Sequence, residues 1–203
     1  MAYSDFTLSK VRESFGLTID EVDNLFALVP VFEPSDFLTR SIQENLPLAT
    51  ASNTEKARSE LLITPILLEI RRQYELGFFS GVEFTVDIAR GLNGFCDYLL
   101  TASKEFYEIR QPVVTLVEAK NENIKAGLGQ CIAEMVAAQI LNASTGLDAI
   151  PIYGCVTTGT EWKFLRLTEE RCEIDLRLYF IVELPKILGV LASPFSQSVG
   201  KSY

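Results

Sequence analysis

Apolar residues follow helical spacing in the first quarter of the chain. Thr18 followed by Glu21 has the pattern of a capping box, which predicts that a helix starts there. The spacing predicts a second, shorter helix over 35 to about 44. The N-terminal region is therefore expected to be helical.

A longer helix is predicted from a cap at Asn53 or Thr54 to residue 72. Pro65 removes a backbone donor within this segment, so the helix should bend there. Glu60 is the acidic residue that opens its apolar stripe.

Alternation of apolar and polar residues, which is typical of strands, begins after this helix. Residues 82–88 alternate in this way and 95–101 form a second strand-like run, so the glycine-containing segment 90–94 between them predicts a hairpin. The apolar, β-branched run 113–120 predicts a central strand. The Ala-rich segment 130–141 is expected to be a helix that lies on the sheet.

The last quarter of the chain again changes from strand to helix patterns. Residues 151–158 and 161–167 indicate a hairpin, 173–180 a further strand and 182–191 a helix. The order of helices, hairpin, strand, helix, hairpin and helix predicts an α/β fold, with a central mixed β-sheet flanked by helices.

Composition and charge narrow the class of protein. The 203 residues, 48% of them hydrophobic, suit a folded chain with a sizeable core. The net charge is −9, and residues 1–50 carry eight acidic against three basic side chains. We therefore predict an acidic helical extension over 1–50, packed on a core formed by 51–203. This charge argues against the uniformly basic surface of a stand-alone nucleic-acid binder.

The sequence also limits the compartment and the available chemistry. It has no apolar run of roughly 20 residues and no signal-peptide pattern, so a cytoplasmic protein without a membrane partner is expected. It has no histidine, and its four cysteines form no C-x-x-C pair. The absence of histidine and of a C-x-x-C pair argues against a zinc site and excludes mechanisms that need an imidazole base. The cysteines are therefore expected to be buried and to behave as small hydrophobic residues.

Charged residues in two predicted strands supply the candidate chemistry. Glu118 and Lys120 are two residues apart, so their side chains point to the same side of strand 113–120. If strand 95–101 is its neighbour, Asp97 can converge with them. The two carboxylates would supply oxygen ligands for a hard divalent cation. With the ammonium beside them, the arrangement could bind a phosphate group.

These residues resemble the pattern of the PD-(D/E)xK nuclease superfamily, whose members have the restriction-endonuclease-like fold. The resemblance covers roughly residues 55–168, and Cys96 stands where the pattern has a proline. The matching positions are a helical acid, a strand aspartate, an E-x-K element and a helical glutamine: Glu60, Asp97, Glu118-Ala119-Lys120 and Gln130.

The resemblance implies a Mg²⁺-dependent nuclease, with Mn²⁺ as an alternative ion, that hydrolyses phosphodiester bonds of nucleic acid, with DNA as the expected substrate. Lys120 would orient or deprotonate the attacking water and offset charge on the phosphate oxygens. Gln130 would position phosphate or water. The implied metal ligands are Asp97, Glu118, the Ala119 carbonyl and Glu60.

Basic residues would contact the nucleic-acid backbone in such a protein. Lys104 and Lys125 are the predicted contacts, with Arg110, Lys163 and Arg166 as further candidates, although each could instead be a solvated surface residue. Because the chain is acidic, a homodimer or a partner subunit would have to supply part of the affinity.

Two other functions are compatible with the sequence. The chain could be a catalytically inactive nuclease-fold module that binds or acts as a scaffold, or an interaction domain in which the candidate residues never meet. Glu118 and Lys120 could be a surface ion pair, worth about 0–1 kcal/mol. Gln130 could be an ordinary residue at a helix start, and Glu60 one of several acids favoured there by the helix dipole.

Overall fold

A mixed eight-stranded sheet forms the centre of the computed structural model, which describes residues 1–147 and 149–196. The strands are β1 (Thr18–Val22), β2 (Gly77–Glu83), β3 (Phe95–Thr101), β4 (Val113–Ala119), β5 (Ile152–Thr157), β6 (Glu161–Thr168), β7 (Arg171–Asp175) and β8 (Tyr179–Phe180). The helices are α1 (Leu8–Phe15), α2 (Asp36–Ser52), α3 (Glu55–Arg58), α4 (Thr64–Tyr74), α5 (Ile124–Ala143) and α6 (Leu184–Ser196).

The strands follow the order β1-β7-β6-β5-β4-β3-β2, and β8 pairs with β6. The pairs β1–β7 and β4–β5 are parallel, whereas the other pairs are antiparallel. The parallel pair β4–β5 needs a crossover, which α5 provides. The predicted α/β fold with a central mixed sheet flanked by helices is confirmed.

Helices cover both faces of this sheet. On one face lies α5, with α1 and the first residues of the chain, while α2, α4 and α6 pack on the other. By length and composition α5 could span a membrane, but 61% of its apolar window is buried in the fold. This burial is typical of the core helix of a soluble domain.

The helix predicted from Thr18 was wrong, because these residues form β1. Thr18 to Val22 pair in parallel with Arg171 to Asp175, and Arg171 Nε donates to Asp20 Oδ2 at 2.7 Å. Residues 1–50 are therefore not an all-helical extension. They supply an edge strand to the sheet in addition to α1 and most of α2.

The helices between the N-terminal strand and the rest of the sheet run further than predicted. α2 continues through Pro47 to Ser52 instead of ending near 44. Thr54 caps α3, accepting the Ala57 N–H at 3.1 Å. A π-helical turn, Ser59–Ile63, connects α3 to α4 without interruption, so Pro65 lies inside one continuous helical segment. The structure thus has a π turn directly before the proline at which a bend was predicted.

Several other boundaries differ from the prediction. β2 ends at Glu83, and Asp87 pairs with Leu92 only in an isolated bridge. α5 starts at Ile124 rather than 130, because Asn123 caps it. The predicted strand 173–180 is divided into β7 and β8.

Candidate functional site

The pairing of β3 with β4 brings the two strand carboxylates together. Tyr98 is paired with Val117, so the next position along this antiparallel ladder places Asp97 opposite Glu118, on the same face. Asp97 Oδ2 also accepts the Ala119 N–H at 2.8 Å. The predicted neighbouring strands therefore do carry these two residues to one place.

Lys120 follows directly after β4 and completes this cluster. Its Nζ forms an ion pair with Glu118 and donates to Gln130 Oε1 at 3.4 Å. The lysine side chain passes over Gly127 of α5, where an added Cβ would lie 2.7 Å from Val156 Cγ1 and 3.1 Å from Lys120 Cε. The missing side chain at Gly127 thus leaves space for Lys120.

Glu118 is a carboxyl group in the interior of the protein. It is 2% exposed, and its Oε2 has no hydrogen-bond partner among the described residues. Burial and the nearby charge of Asp97 raise the pKa of Glu118 to about 8, against the opposing effect of Lys120. A buried carboxylate of this kind would gain from further positive charge beside it.

The charge of Lys120 is held in place by Glu118. Burial would lower the pKa of Lys120, but the charge and hydrogen bond of Glu118, together with the charges of Asp97 and Glu55, outweigh burial, and the pKa of Lys120 is raised. We therefore take Lys120 as protonated at neutral pH.

Glu134 belongs to this cluster, although it was not among the predicted site residues. It is fully buried on α5, and its Oε1 accepts from Gln130 Nε2 at 3.1 Å. Burial, followed by the charge of Glu118, raises the pKa of Glu134 well above its usual value. An acid four residues after Gln130, in an otherwise apolar stretch, was the signal that could have identified it.

The first residues of the chain close the inner side of the cluster. Tyr3 is 1% exposed, and its hydroxyl lacks a partner within the described part of the chain. Burial and the charges of Cys96 and Glu134 raise the pKa of Tyr3. An added Cβ at Gly129 of α5 would lie 2.4 Å from the Phe6 carbonyl oxygen, so the N-terminal segment packs directly on the helix backbone.

The predicted helical ligand Glu60 is not brought into the cluster. Its side chain is 62% exposed and pairs with Lys56 at 3.2 Å. Glu55, in the first turn of α3, is instead near enough for its charge to affect the pKa values of Glu118 and Lys120. Glu55 lies in α3, whereas Glu60 lies inside the π turn that follows it.

The predicted nucleic-acid contacts differ in their positions. Lys104 lies beyond the opposite end of β3 from Asp97 and pairs with Glu75 at 2.6 Å, so it does not belong to the Asp97–Glu118 cluster, and its contact with nucleic acid stays a prediction. Lys125 is exposed in the first turn of α5, in the segment that follows Lys120 along the chain.

The three further basic candidates are engaged elsewhere. Lys163 Nζ donates to the backbone carbonyls of Asp175, Leu176 and Arg177. Arg110 pairs with Glu108, and Arg166 pairs with Glu173. These side chains stabilise the fold locally.

The donor set is compatible with a hard cation. Within residues 1–147 and 149–196, no group of three or more His, Cys, Asp or Glu side chains is placed to hold a metal ion. Without Glu60, the predicted ligands that remain together are two carboxylates and the carbonyl of Ala119, a smaller set of protein oxygens of the type that Mg²⁺ uses together with water. The buried, unpartnered Oε2 of Glu118 fits such an ion.

Comparisons of the chain with family models, with curated proteins and with solved structures found no match. Function must therefore be argued from the site.

Proposed function

We propose that this protein is a Mg²⁺-dependent nuclease of the PD-(D/E)xK type, with a restriction-endonuclease-like fold, that hydrolyses phosphodiester bonds of DNA. The observation that carries the proposal is the pairing of Asp97 and Glu118 across β3 and β4, with Lys120 ion-paired to Glu118. A surface ion pair does not account for this arrangement, because Glu118 is buried and one of its oxygens has no described partner.

Asp97, Glu118 and the Ala119 carbonyl would hold the ion. Glu55, whose charge adds to the effects of burial and of Asp97 in raising the pKa of Glu118, would take the role predicted for Glu60. The ion would supply positive charge to offset the charge that develops on the phosphate oxygens. Mn²⁺ would serve as an alternative, because it accepts the same oxygen ligands.

Lys120 would act on the phosphate directly. Its ammonium is a compact charge with three donors, and two of them are directed to Glu118 and Gln130. The remaining donor could bind a phosphate oxygen or the attacking water. Gln130 would hold Lys120 at this position through its amide oxygen.

A cleavage assay tests the proposal. Wild-type protein with Mg²⁺ should cut plasmid, single-stranded or branched DNA, and Lys120→Ala should reduce the rate about 100-fold or more. Lys56→Ala is the matched control, because Lys56 is 84% exposed in a surface pair and should not affect the rate. Cleavage that survives in the Lys120 variant would contradict the proposal.

A second candidate is a catalytically inactive nuclease-fold module that binds or scaffolds. It is favoured by the absence, within the described residues, of three acidic side chains placed to hold a metal ion. Calorimetric titration with Mg²⁺ and Mn²⁺ separates the candidates. A binding heat that disappears in Asp97→Ala supports the enzyme, whereas no heat in the wild type supports the inactive module.

Substrate binding would depend on more than the site itself. Lys125 is the remaining candidate for contact with the DNA backbone, and the net charge of −9 suggests that a homodimer or a partner subunit adds affinity. We also propose a cytoplasmic location, because all four cysteines are free and buried, as expected in a reducing compartment.

A further inference from the structure

Glu134 is a buried carboxyl that packing does not explain. It lies in the apolar helix α5 and is 0% exposed, as are Cys131, Met135 and Ala138 of the same helix. A carboxyl group buried at such a position costs free energy that an apolar side chain would not. Only Oε1 has a partner, since Oε2 makes no hydrogen bond to the described residues. Its presence therefore points to a role other than stability.

Glu134 is the last member of a chain of hydrogen bonds that begins at Lys120. Lys120 Nζ donates to Gln130 Oε1 at 3.4 Å, and Gln130 Nε2 donates to Glu134 Oε1 at 3.1 Å. The two ends of a carboxamide have nearly the same shape, so its neighbours determine which end faces which way. A lysine only donates hydrogen bonds, whereas a carboxyl group keeps an oxygen that accepts them whether or not the group is protonated.

We propose that Glu134 is a positioning residue that fixes the carboxamide of Gln130 with its oxygen towards Lys120, and so holds the Lys120 ammonium beside Glu118. Without an acceptor at position 134, the NH₂ group of Gln130 would lose its partner in the interior, and the carboxamide would be free to move towards other acceptors. Lys120 would then keep Glu118 as its partner but lose Gln130.

Water is kept away from the far end of this chain by the N-terminal turn. Tyr3 is 1% exposed, and its burial raises its pKa together with the charge of Glu134, which lies near enough to act on it. The buried Cys96 thiol is also within reach of Glu134, but a thiol is only a weak donor, so neither Cys96 nor solvent replaces the interaction with Gln130.

Three variants test the proposal. Glu134→Met removes the acceptor and keeps an unbranched side chain of similar length. Glu134→Gln keeps an oxygen that can accept from Gln130. Met135→Leu changes packing at a neighbouring, fully buried position of α5 and controls for purely structural effects. The readouts are the side-chain amide NMR signals of Gln130, the melting temperature, and kcat and KM for DNA cleavage.

The expected result separates positioning from stability. Hydrogen exchange at the Gln130 amide should be slow in the wild type and in Glu134→Gln, and at least 10-fold faster in Glu134→Met. The Met variant should lose about 10- to 100-fold in kcat with KM little changed, while its melting temperature stays equal or rises. Glu134→Gln should restore most of kcat, and Met135→Leu should keep both the amide signal and kcat.

The rate effect rests on the proposed nuclease function, whereas the amide signal does not. If the wild type cleaves no DNA while the Gln130 amide exchanges faster in Glu134→Met than in the wild type, the nuclease function is refuted and the positioning role stands. An unchanged Gln130 signal in Glu134→Met would overturn the positioning role. So would a loss of kcat that follows a drop in melting temperature equally in the Met and Leu variants.

Discussion

Gly127 sets how closely α5 approaches the end of β4. An added Cβ would lie 2.7 Å from Val156 Cγ1 and 3.1 to 3.2 Å from two carbons of Lys120. Val156 is fully buried and cannot move away without disturbing β5. The glycine therefore has a packing role that also determines the space left for Lys120.

Gly127→Ala is expected to destabilise the protein, although helix propensity favours the opposite sign. Helix propensity alone would raise the free energy of unfolding by about 1 kcal/mol. Overpacking against Val156 should lower the free energy of unfolding by about 1–3 kcal/mol. Urea unfolding measures the net change. Ala126→Gly, at the exposed neighbouring position, reports propensity without the contact. A Gly127→Ala protein more stable than the wild type would show that α5 is not held at this distance.

The candidate residues differ in how far the sequence could identify them. Asp97, Glu118 and Lys120 followed from the alternation of side chains along two strands, which is a local property. Glu134 did not, because burial of one helical acid depends on the N-terminal turn that packs over α5. Glu60 was predicted as the helical acid of the site instead of Glu55, because no local sequence pattern predicts the π turn at Ser59–Ile63.

At the scale of elements, Glu69 connects α4 to the start of α2. Glu69 is 8% exposed, accepts the Ser35 N–H at 2.8 Å and pairs with Arg72 at 2.7 Å. Burial would raise the pKa of Glu69, but the hydrogen bonds from Arg72 and Ser35 outweigh it, and the pKa is lowered. The fold therefore favours the charged form of Glu69.

The Glu69 contact should make stability depend on pH. Because the folded pKa is lowered, its stabilisation is present above the unfolded pKa of about 4.3 and is lost as the pH falls through the folded value. Glu69→Gln should lower the free energy of unfolding by about 1–2 kcal/mol at neutral pH. At about pH 3 its difference from the wild type should be much smaller.

Urea unfolding at the two pH values measures the effect of Glu69→Gln. Glu60→Gln is the control, because Glu60 is 62% exposed in a surface pair and its loss should change little at either pH. A Glu69→Gln difference that is the same at both pH values would show that the charge of Glu69 does not stabilise the α2–α4 contact.

Elements formed by neighbours in sequence were predictable, and those formed by distant partners were not. The hairpins β2–β3 and β5–β6 follow from short-range alternation and turns, although β2 was placed too late. β1 pairs with β7, whose residues come about 150 positions later in the chain. The capping-box pattern of Thr18 and Glu21 therefore predicted a helix where the structure has a strand. Long-range pairing overrode local propensity there.

At the scale of the molecule, residues 1–50 are part of the core. Their buried apolar side chains lie on both faces of the sheet, and β1 covers the outer edge of β7. On the α5 face they are Tyr3, Phe6, Val11 and Leu17, and on the other face Phe26, Leu38, Ile42 and Ala49. A division at residue 50 would therefore cut through the hydrophobic core.

Residues 51–203 expressed without the N-terminal part should not fold cooperatively. Each large buried side chain contributes about 1.5–3 kcal/mol, and a whole domain has only about 5–15 kcal/mol of stability. The loss of several such side chains from both faces, together with an exposed β7 edge, exceeds that margin.

We expect a weak near-ultraviolet circular dichroism signal, binding of a hydrophobic dye and a non-cooperative thermal transition. Addition of a separate peptide of residues 1–50 should restore part of the signal, because β1 and α1 bind surfaces that the remaining chain provides. A sharp unfolding transition of 51–203 by itself would show that residues 1–50 are an accessory to an independent core.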